Sequence, residues 1–534
     1  MPPSFRDSTA RPGVMKFRPR ISKWVVFFFA VLLVTGLALF RDYGISWDEI
    51  PTREFGQMYA QHQVPDIRAL EALRAEKGFA WERHGPVFEI GLAWMERLTG
   101  FSDIRSVFFA RHLATFVVFA LSVGLFYAFC RRRFSEAIAL SAAAGLVFTP
   151  ALFAHGFYNG KDIPFFALFI ATMLSLVAWL ERPAWRWVLV HSVLTALLVS
   201  TRVLGFLAVG LTIGLVLWRH RDQAALVRLA VHGVLLMALL PLFWPVLQLD
   251  YWGVLSEALL NASGNTLSPR SVLFWGQHIS PQQLPWHYIP SWILVTTPIP
   301  YLLLMAVGAV VMAVRWSVDW RAVLRAPGQD VVVACWLVAA LASTILVRPI
   351  LYDGWRHLFF IYPALLYVAA SGAEALWLWG APRMQAWRPR LRRAAAICAA
   401  GVCLAPAANF MVQSHPFEHL YFNQLAGPSL AAAREQFDFD YWGLSYRPML
   451  EHLLRIDSSS VVRVHVENFP GVANSLMIPL ADRRRLQYAK SLDDADYYIT
   501  NFRFPDDPKP ATGELLSIKL GAATVATLYR LRAP

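Results

Sequence analysis

The chain has 534 residues, 57% of them hydrophobic and 14% aromatic, with a mean hydropathy of +0.43 and a formal net charge of +13. That balance is too apolar for a soluble globular fold and describes a polytopic membrane protein. The positive charge gathers in short loops between apolar runs, so it reports topology and gives no reason to expect a nucleic acid partner.

Apolar runs of about 20 residues, the length that crosses a bilayer, fall near 24–40, 106–130, 136–154, 163–180, 187–201, 203–218, 229–247, 291–314, 331–347, 358–380 and 394–411. They predict about eleven spans. The cationic loops, among them Arg131 to Arg133, Arg315 to Arg325 and Arg383 to Arg393, are expected on the cytoplasmic side together with the N-terminus. An odd number of crossings then places the C-terminus outside. The first run has a basic flank and no small-residue cleavage pattern, and reads as a retained signal anchor. Cys130, Cys335, Cys398 and Cys403 lie in or beside apolar runs and show neither disulfide nor metal spacing.

The first run leads into Arg41-Asp42-Tyr43-Gly44-Ile45-Ser46-Trp47-Asp48-Glu49. Two adjacent carboxylates are thereby set at the bilayer surface, near lipid headgroups and in reach of water. Such a place suits chemistry on a lipid-borne substrate, with Asp48 as a general base and Glu49 as its neighbour or a donor-sugar ligand. A helix cap and a solvated turn is the plainer reading of the same residues.

The long loop from Ile50 to Arg105 predicts helices lying on the membrane surface. Pro51 opens one that carries Phe55, Met58, Tyr59 and His62; Pro86 opens another, with Val87, Trp94 and Leu98 on one face and Glu89 and Glu96 on a second. These helices are expected to bring His84, within Trp81-Glu82-Arg83-His84-Gly85-Pro86, back near Asp48.

Between the third and fourth runs, Asn159-Gly160-Lys161-Asp162-Ile163-Pro164 opens on the same side as Asp48. Asp162 is placed to cap the helix that Pro164 helps to start, a duty compatible with catalysis. Lys161 either snorkels to the interface or meets an anion. The turn Arg348-Pro349-Ile350-Leu351-Tyr352-Asp353-Gly354-Trp355-Arg356-His357 also faces outward, and snorkelling explains one arginine better than such a cluster.

From Val412 the composition changes. Val461 to Val466, Tyr497 to Ile499 and Thr524 to Tyr529 predict strands and Arg447 to Ile456 a helix, so residues 412–534 are expected to form a small α/β domain outside the membrane. His415, Glu418 and His419 at the junction have no further ligand at metal spacing and are expected to pack.

An outward first loop with paired acids, a second acid after the third span, many crossings and an extracytoplasmic C-terminal domain together resemble the C-type (GT-C) membrane glycosyltransferases. The likeness is in particular to the bacterial glycosyltransferase family 39 group, which includes protein O-mannosyltransferase-like and lipid A aminoarabinose transferase-like enzymes. Its most specific signs are Ser46-Trp47-Asp48-Glu49 and Asn159-Gly160-Lys161-Asp162-Ile163-Pro164, and it extends to about Gly380. Trp81 to Pro86 differs from the Lys-Pro-Pro form of some relatives.

The resemblance implies a polytopic α-helical, GT-C-like fold in which residues 1–411, with the extracytoplasmic loop 41–105, form the transferase domain. It implies transfer of a sugar from a polyprenyl-phosphate donor to a lipid, glycan or protein acceptor, at the outer face of the inner (plasma) membrane and with inversion. Asp48, Glu49 and Asp162 carry over as the catalytic acids. Lys161, Arg356, His357, Tyr352 and His84 are the expected substrate-binding residues, with Lys161 and Arg356 assigned to the phosphate from position and charge. Much of the likeness is to enzymes that need no metal, although two nearby acids can coordinate Mg²⁺ or Mn²⁺. A transporter or lipid flippase is the alternative reading, but transporters place ionisable groups on broken helices at mid-membrane. Here the acids gather at one face.

Overall fold

The computed structural model describes residues 22–62, 85–260, 271–325, 328–504, 510 and 513–532. Among these, seven helices are long and apolar enough to cross a membrane: Ile104–Arg131, Asp162–Glu181, Gln223–Phe243, Ile299–Val318, Gln329–Val347, Arg356–Met384 and Pro389–Ser414. An eighth exists only as a pair, Glu136–Val147 and Pro150–Tyr158, bent by 66°. Lys23–Leu39, Trp185–Thr201 and Val203–Arg219 are shorter apolar helices in the remaining predicted runs. The chain is a multi-pass membrane protein.

Two of the predicted continuous spans are broken, and proline breaks both. Pro150 forces its predecessor Thr149 out of the helical region (φ −98°, ψ 103°), and the helix restarts at a new angle. Pro298 does the same to Thr297 (φ −93°, ψ 134°), separating Tyr288–Thr296 from Ile299–Val318. Other helix ends follow local capping: Asp103, Ser135 and Asp222 each accept a backbone N–H from the first turn of the helix they precede.

Asp162–Glu181 is the most buried of the spans. Its Phe166, Phe169, Met173, Leu176 and Trp179 fill the centre of the membrane core, where Phe169 stacks on Trp336 at 5.1 Å. Ile299–Val318 and Tyr362–Gly380 pack backbone to backbone through Gly308 and Gly372, where a Cβ would collide with the Val368 and Leu304 carbonyls. Small residues give membrane helices this close approach, since burial of apolar surface drives nothing in lipid.

The helices Glu49–His62 and Val87–Thr99 lie against each other beside the spans. Val87–Thr99 turns its acids inward: Glu96 pairs with Arg111 at 2.8 Å and Arg53 at 2.8 Å, and Glu89 also pairs with Arg111. Trp94 and Leu98 point outward, as on a helix resting in a membrane surface.

Two small strands, β1 (Val272–Phe274) and β2 (Gln277–Ile279), form a hairpin. Its turn residues Trp275 and Gly276 both have positive φ (50° and 74°), the two-residue turn whose twist suits paired strands. After the last span a five-stranded sheet runs in the order β4-β3-β5-β7-β6, from β3 (Val462–Val466), β4 (Leu486–Tyr488), β5 (Tyr497–Thr500), β6 (Glu514–Leu520) and β7 (Ala523–Arg530). β3 is parallel to β4 and β5, and β7 is antiparallel to β5 and β6. The helix Tyr446–Ile456 buries Met449, Leu450 and Leu453 against Val462, Val464 and Leu528 of this sheet. The three predicted strands and the predicted helix are all present, with ends shifted by a residue or two.

This C-terminal part grips the turn that leads to Asp48. Asn474 accepts from Ile45 N and donates to Ile45 O, both at 2.9 Å, as a strand neighbour would. Arg447 donates to the carbonyls of Arg41 and Tyr43 at 2.5 and 2.8 Å.

Candidate active site

The acid pair divides at the start of the helix Glu49–His62. Glu49 curls back so that Oε2 accepts from Ser46 N at 2.6 Å, the reciprocal half of a capping box, while Oε1 meets His112 Nε2 at 2.9 Å. Ser46 is fixed in turn by donating to the Tyr158 carbonyl at 3.2 Å. Glu49 is therefore buried and fully occupied, turned away from its neighbour. Asp48 keeps 28% of its side chain exposed and lies 3.5 Å from Arg356 Nη1.

Asp162 opens the central span, but the cap expected of it belongs to Asn159, whose Oδ1 accepts from Asp162 N at 2.8 Å and Lys161 N at 3.3 Å. Freed of that duty, the Asp162 carboxylate accepts from Asn159 Nδ2 at 2.8 Å and from Arg356 Nη1 at 3.3 Å, and pairs with Arg202. Asn159 also meets His155 at 2.9 Å, and His155 accepts from Trp442 Nε1 at 3.2 Å, so the C-terminal part reaches into this network.

Arg356 is the hub. The turn before it stores strain, with Arg348 and Asp353 at positive φ (48° and 56°) although neither is glycine. That turn presents Asp353 to Arg356 Nη2 at 3.2 Å, so one buried guanidinium holds Asp48, Asp162 and Asp353 together. It lies 4.7 Å from the Trp442 ring centre and 5.3 Å from that of Tyr352. His357 touches the edge of Tyr352 at 5.2 Å between ring centres. Burial raises the Tyr352 phenol to about 12.

Lys161 keeps part of its surface exposed. Its ammonium is nonetheless desolvated and lies near Arg202, which together lower its pKa to about 8. It has no ion pair among the described residues, and lines a cleft with Thr52, Phe55, Pro86, Phe88 and Thr201. Of the residues predicted for the site, Asp48, Asp162, Lys161, Arg356, Tyr352 and His357 come together, Glu49 supports them from behind, and His84 lies outside the described residues.

Asp353, Arg503 and Asp438 complete the arrangement without having been assigned to it from sequence. Arg503 donates to Asp353 at 2.6 Å and lies 3.3 Å from Asp438, whose carboxyl burial raises to about 6 against the pull of Arg503. Arg202 joins them as well: like Lys161 and Arg356 it is a cation in the loops opposite the main cationic set, and the sequence offers it, with Arg270, as the next candidate for the phosphate after those two. Arg503 had no such signal, because only folding of the sheet brings it here. The acids do not fit a divalent metal. The Arg356 guanidinium stands between Asp48, Asp162 and Asp353, where a metal would need open carboxylate oxygens.

Residues 83–248 match the dolichyl-phosphate-mannose-protein mannosyltransferase family, a segment that includes Asn159 to Asp162 and Arg202 and begins after Asp48. No curated protein sequence matches the chain. Among solved structures, ArnT from Cupriavidus metallidurans bound to undecaprenyl phosphate is similar with a TM-score of 0.52 at 13% identity, over 96% of this chain and 99% of that one. Its apo state gives 0.52 at 14% identity over the same shares. The Archaeoglobus fulgidus oligosaccharyltransferase in the apo form gives 0.46 at 11% identity, over 90% of this chain and 70% of that one. The family match covers residues 83–248, and over 96% of its length the chain has an ArnT-like fold.

Proposed function

We propose that the protein transfers a sugar from a polyprenyl-phosphate donor to an acceptor hydroxyl at the outer face of the inner membrane, with inversion and with Asp48 as general base. One observation carries the reading. Asp48 is a partly exposed carboxylate held at the edge of a buried cation cluster, where a proton acceptor and groups for an anionic leaving group meet.

In this reaction the acceptor oxygen forms a bond to the anomeric carbon as that carbon's bond to the phosphate oxygen breaks. The acceptor proton passes to Asp48, and the electron pair leaves on the lipid phosphate. Lys161, a half-buried ammonium without an ion pair among the described residues, is the first group for that phosphate, with Arg202 beside it. Arg356, already shared among three carboxylates, orients Asp48 as well as adding positive potential. Glu49 fixes the helix start from which Asp48 projects. In this reading the site lies at a membrane surface, with residues 412–534 on the same outer side.

The reading is tested by mass spectrometry of lipids bound to the detergent-purified protein. Polyprenyl-phosphate sugars should copurify with the parent and be consumed when membrane extract is added. Copurification of an unrelated solute, with no lipid-linked sugar bound or consumed, would favour a transporter instead.

A further inference from the structure

The proposed reaction uses Arg356 but leaves Arg503, one carboxylate behind it, without a role. Arg503 follows strand β5 of the C-terminal sheet, and its side chain crosses to the turn that precedes Arg356. There Asp353 carries a guanidinium on each oxygen: Oδ1 accepts from Arg503 Nη2 at 2.6 Å, and Oδ2 from Arg356 Nη2 at 3.2 Å. The other terminal nitrogen of Arg503, Nη1, lies 3.3 Å from Asp438 Oδ1. All three side chains are close to nine-tenths buried.

Both ends of this bridge are built under strain. Asp353 has φ 56°, and Phe502, directly before Arg503, has φ 59°, a left-handed backbone that residues with side chains rarely adopt. On the sheet side Glu467 enforces the conformation: Oε2 accepts from Thr500 Oγ1 at 2.8 Å and from Arg503 N at 3.2 Å, and Oε1 from Phe504 N at 3.2 Å. Thr500 Oγ1 in turn accepts from Phe502 N at 2.9 Å. A turn fixed at so many points aims one side chain, and enforced strain of this kind gathers where a residue's position matters to function.

Charge shows what the position does. Lys161, Arg202, Arg356 and Arg503 stand among Asp48, Asp162, Asp353 and Asp438, four cations to four carboxylates. Without Arg503, Asp353 would draw Arg356 toward itself and away from Asp48, which Arg356 reaches only at 3.5 Å. With Arg503 in place the Asp353 charge is shared, and Arg356 Nη1 stays between Asp48 and Asp162. Arg503 is no anchor for a substrate anion, because both ends of its fork face carboxylates. A plain tie between sheet and membrane helices would need neither strained turn, nor a carboxylate shared with Arg356.

We infer that Arg503 is a positioning residue for the transfer: through Asp353 it fixes where Arg356 stands, and so holds Asp48 where it takes the acceptor proton. The inference rests on the transferase reading and links the C-terminal sheet to the base through one side chain.

The experiment compares the full chain with Arg503→Gln and Arg503→Lys in nanodiscs, at a temperature where each is folded. Two readouts are taken. One is kcat and KM for polyprenyl-phosphate sugars extracted from native membranes; the other is the rate at which a water-soluble carbodiimide modifies Asp48, followed by peptide mass spectrometry. Arg503→Gln should lower kcat by about 10²-fold, the scale of loss for a misplacement of about 1 Å, with the donor KM near the parent's. Asp48, released from Arg356, should be modified severalfold faster. Arg503→Lys keeps the charge and should return both readouts most of the way to the parent. Should Arg503→Gln fail to fold, the charge-balanced Arg503→Gln/Asp353→Asn removes both partners together and should show the same two changes. Parental kcat and labelling in these variants, a lowered melting temperature with neither readout moved, or a loss that Arg503→Lys does not relieve overturns the assignment. Faster labelling of Asp48 in Arg503→Gln, in a protein whose parent transfers no sugar, would uphold the hold of Arg503 on Asp48 and remove the transferase reading.

Discussion

At the scale of residues, Asp48 and Glu49 are chemically alike and adjacent, yet the fold gives them different work. Glu49 is tied to Ser46 N and His112, and Asp48 faces Arg356 and solvent. Lys161 offers a test with a sign. Its pKa is lowered to about 8, so its ammonium is present below that pH and lost above it. Donor affinity should therefore fall as pH rises through about 8. Lys161→Arg, whose guanidinium stays charged, should carry binding past that limit. An affinity profile identical in parent and variant would remove Lys161 from the phosphate site. The sequence made Lys161, Asp162 and Arg356 legible because ionisable residues are rare beside apolar spans, and the two cations fall in loops opposite the main cationic set. It gave Asp48 the base's role, but it could not show that Glu49 turns back to Ser46 and His112, nor move the cap from Asp162 to Asn159, because those outcomes depend on which way each side chain turns.

At the scale of elements, the turn from Arg41 to Ser46 is held by a part of the chain more than four hundred residues away. Asn474 is wholly buried and spends its amide on both backbone groups of Ile45. Asn474→Ala should strand those groups, costing about 1–3 kcal/mol for each group left unsatisfied. Turnover should drop along with the melting temperature, while binding of sugar-free polyprenyl phosphate survives at low temperature. A variant that melts and turns over like the parent would show that the clamp does nothing. His415 ties the end of the last span to the same turn, with Nδ1 2.6 Å from Glu418 and Nε2 3.0 Å from Asp42. Burial pulls its pKa down, but hydrogen bonding and charge from Glu418 and Asp42 prevail and raise it. Its contribution to stability is then complete below about 6.5, the unfolded value, and is lost as pH rises through the raised folded value. His415→Gln should flatten that part of the pH–melting curve, and an unchanged curve would rule the contact out. Helix breaks were partly hidden from sequence: Pro150 and Pro298 were visible, but the apolar run on either side of each outweighed them when span length alone was read.

At the scale of the whole molecule, the membrane fold and the C-terminal sheet were legible because hydropathy and strand alternation are strong, local signals. The contacts between them were not, since Arg447, Asn474 and Arg503 reach the site through tertiary packing that leaves no periodic trace. Topology is checked by fusing an export-dependent phosphatase after the last residue. The cationic loops predict an active reporter, and an inactive one would move the sheet domain and the acid cluster to the cytoplasmic side. The central claim is catalysis by Asp48. Its most direct measurement is the rate at which label leaves polyprenyl-phosphate sugars, extracted from native membranes, in nanodiscs holding the parent or Asp48→Asn. The parent should transfer the label to an acceptor, and the amide, which keeps the shape but takes no proton, should be slower by about 10² to 10⁴ while still binding donor. Turnover by Asp48→Asn within a few-fold of the parent would contradict the account.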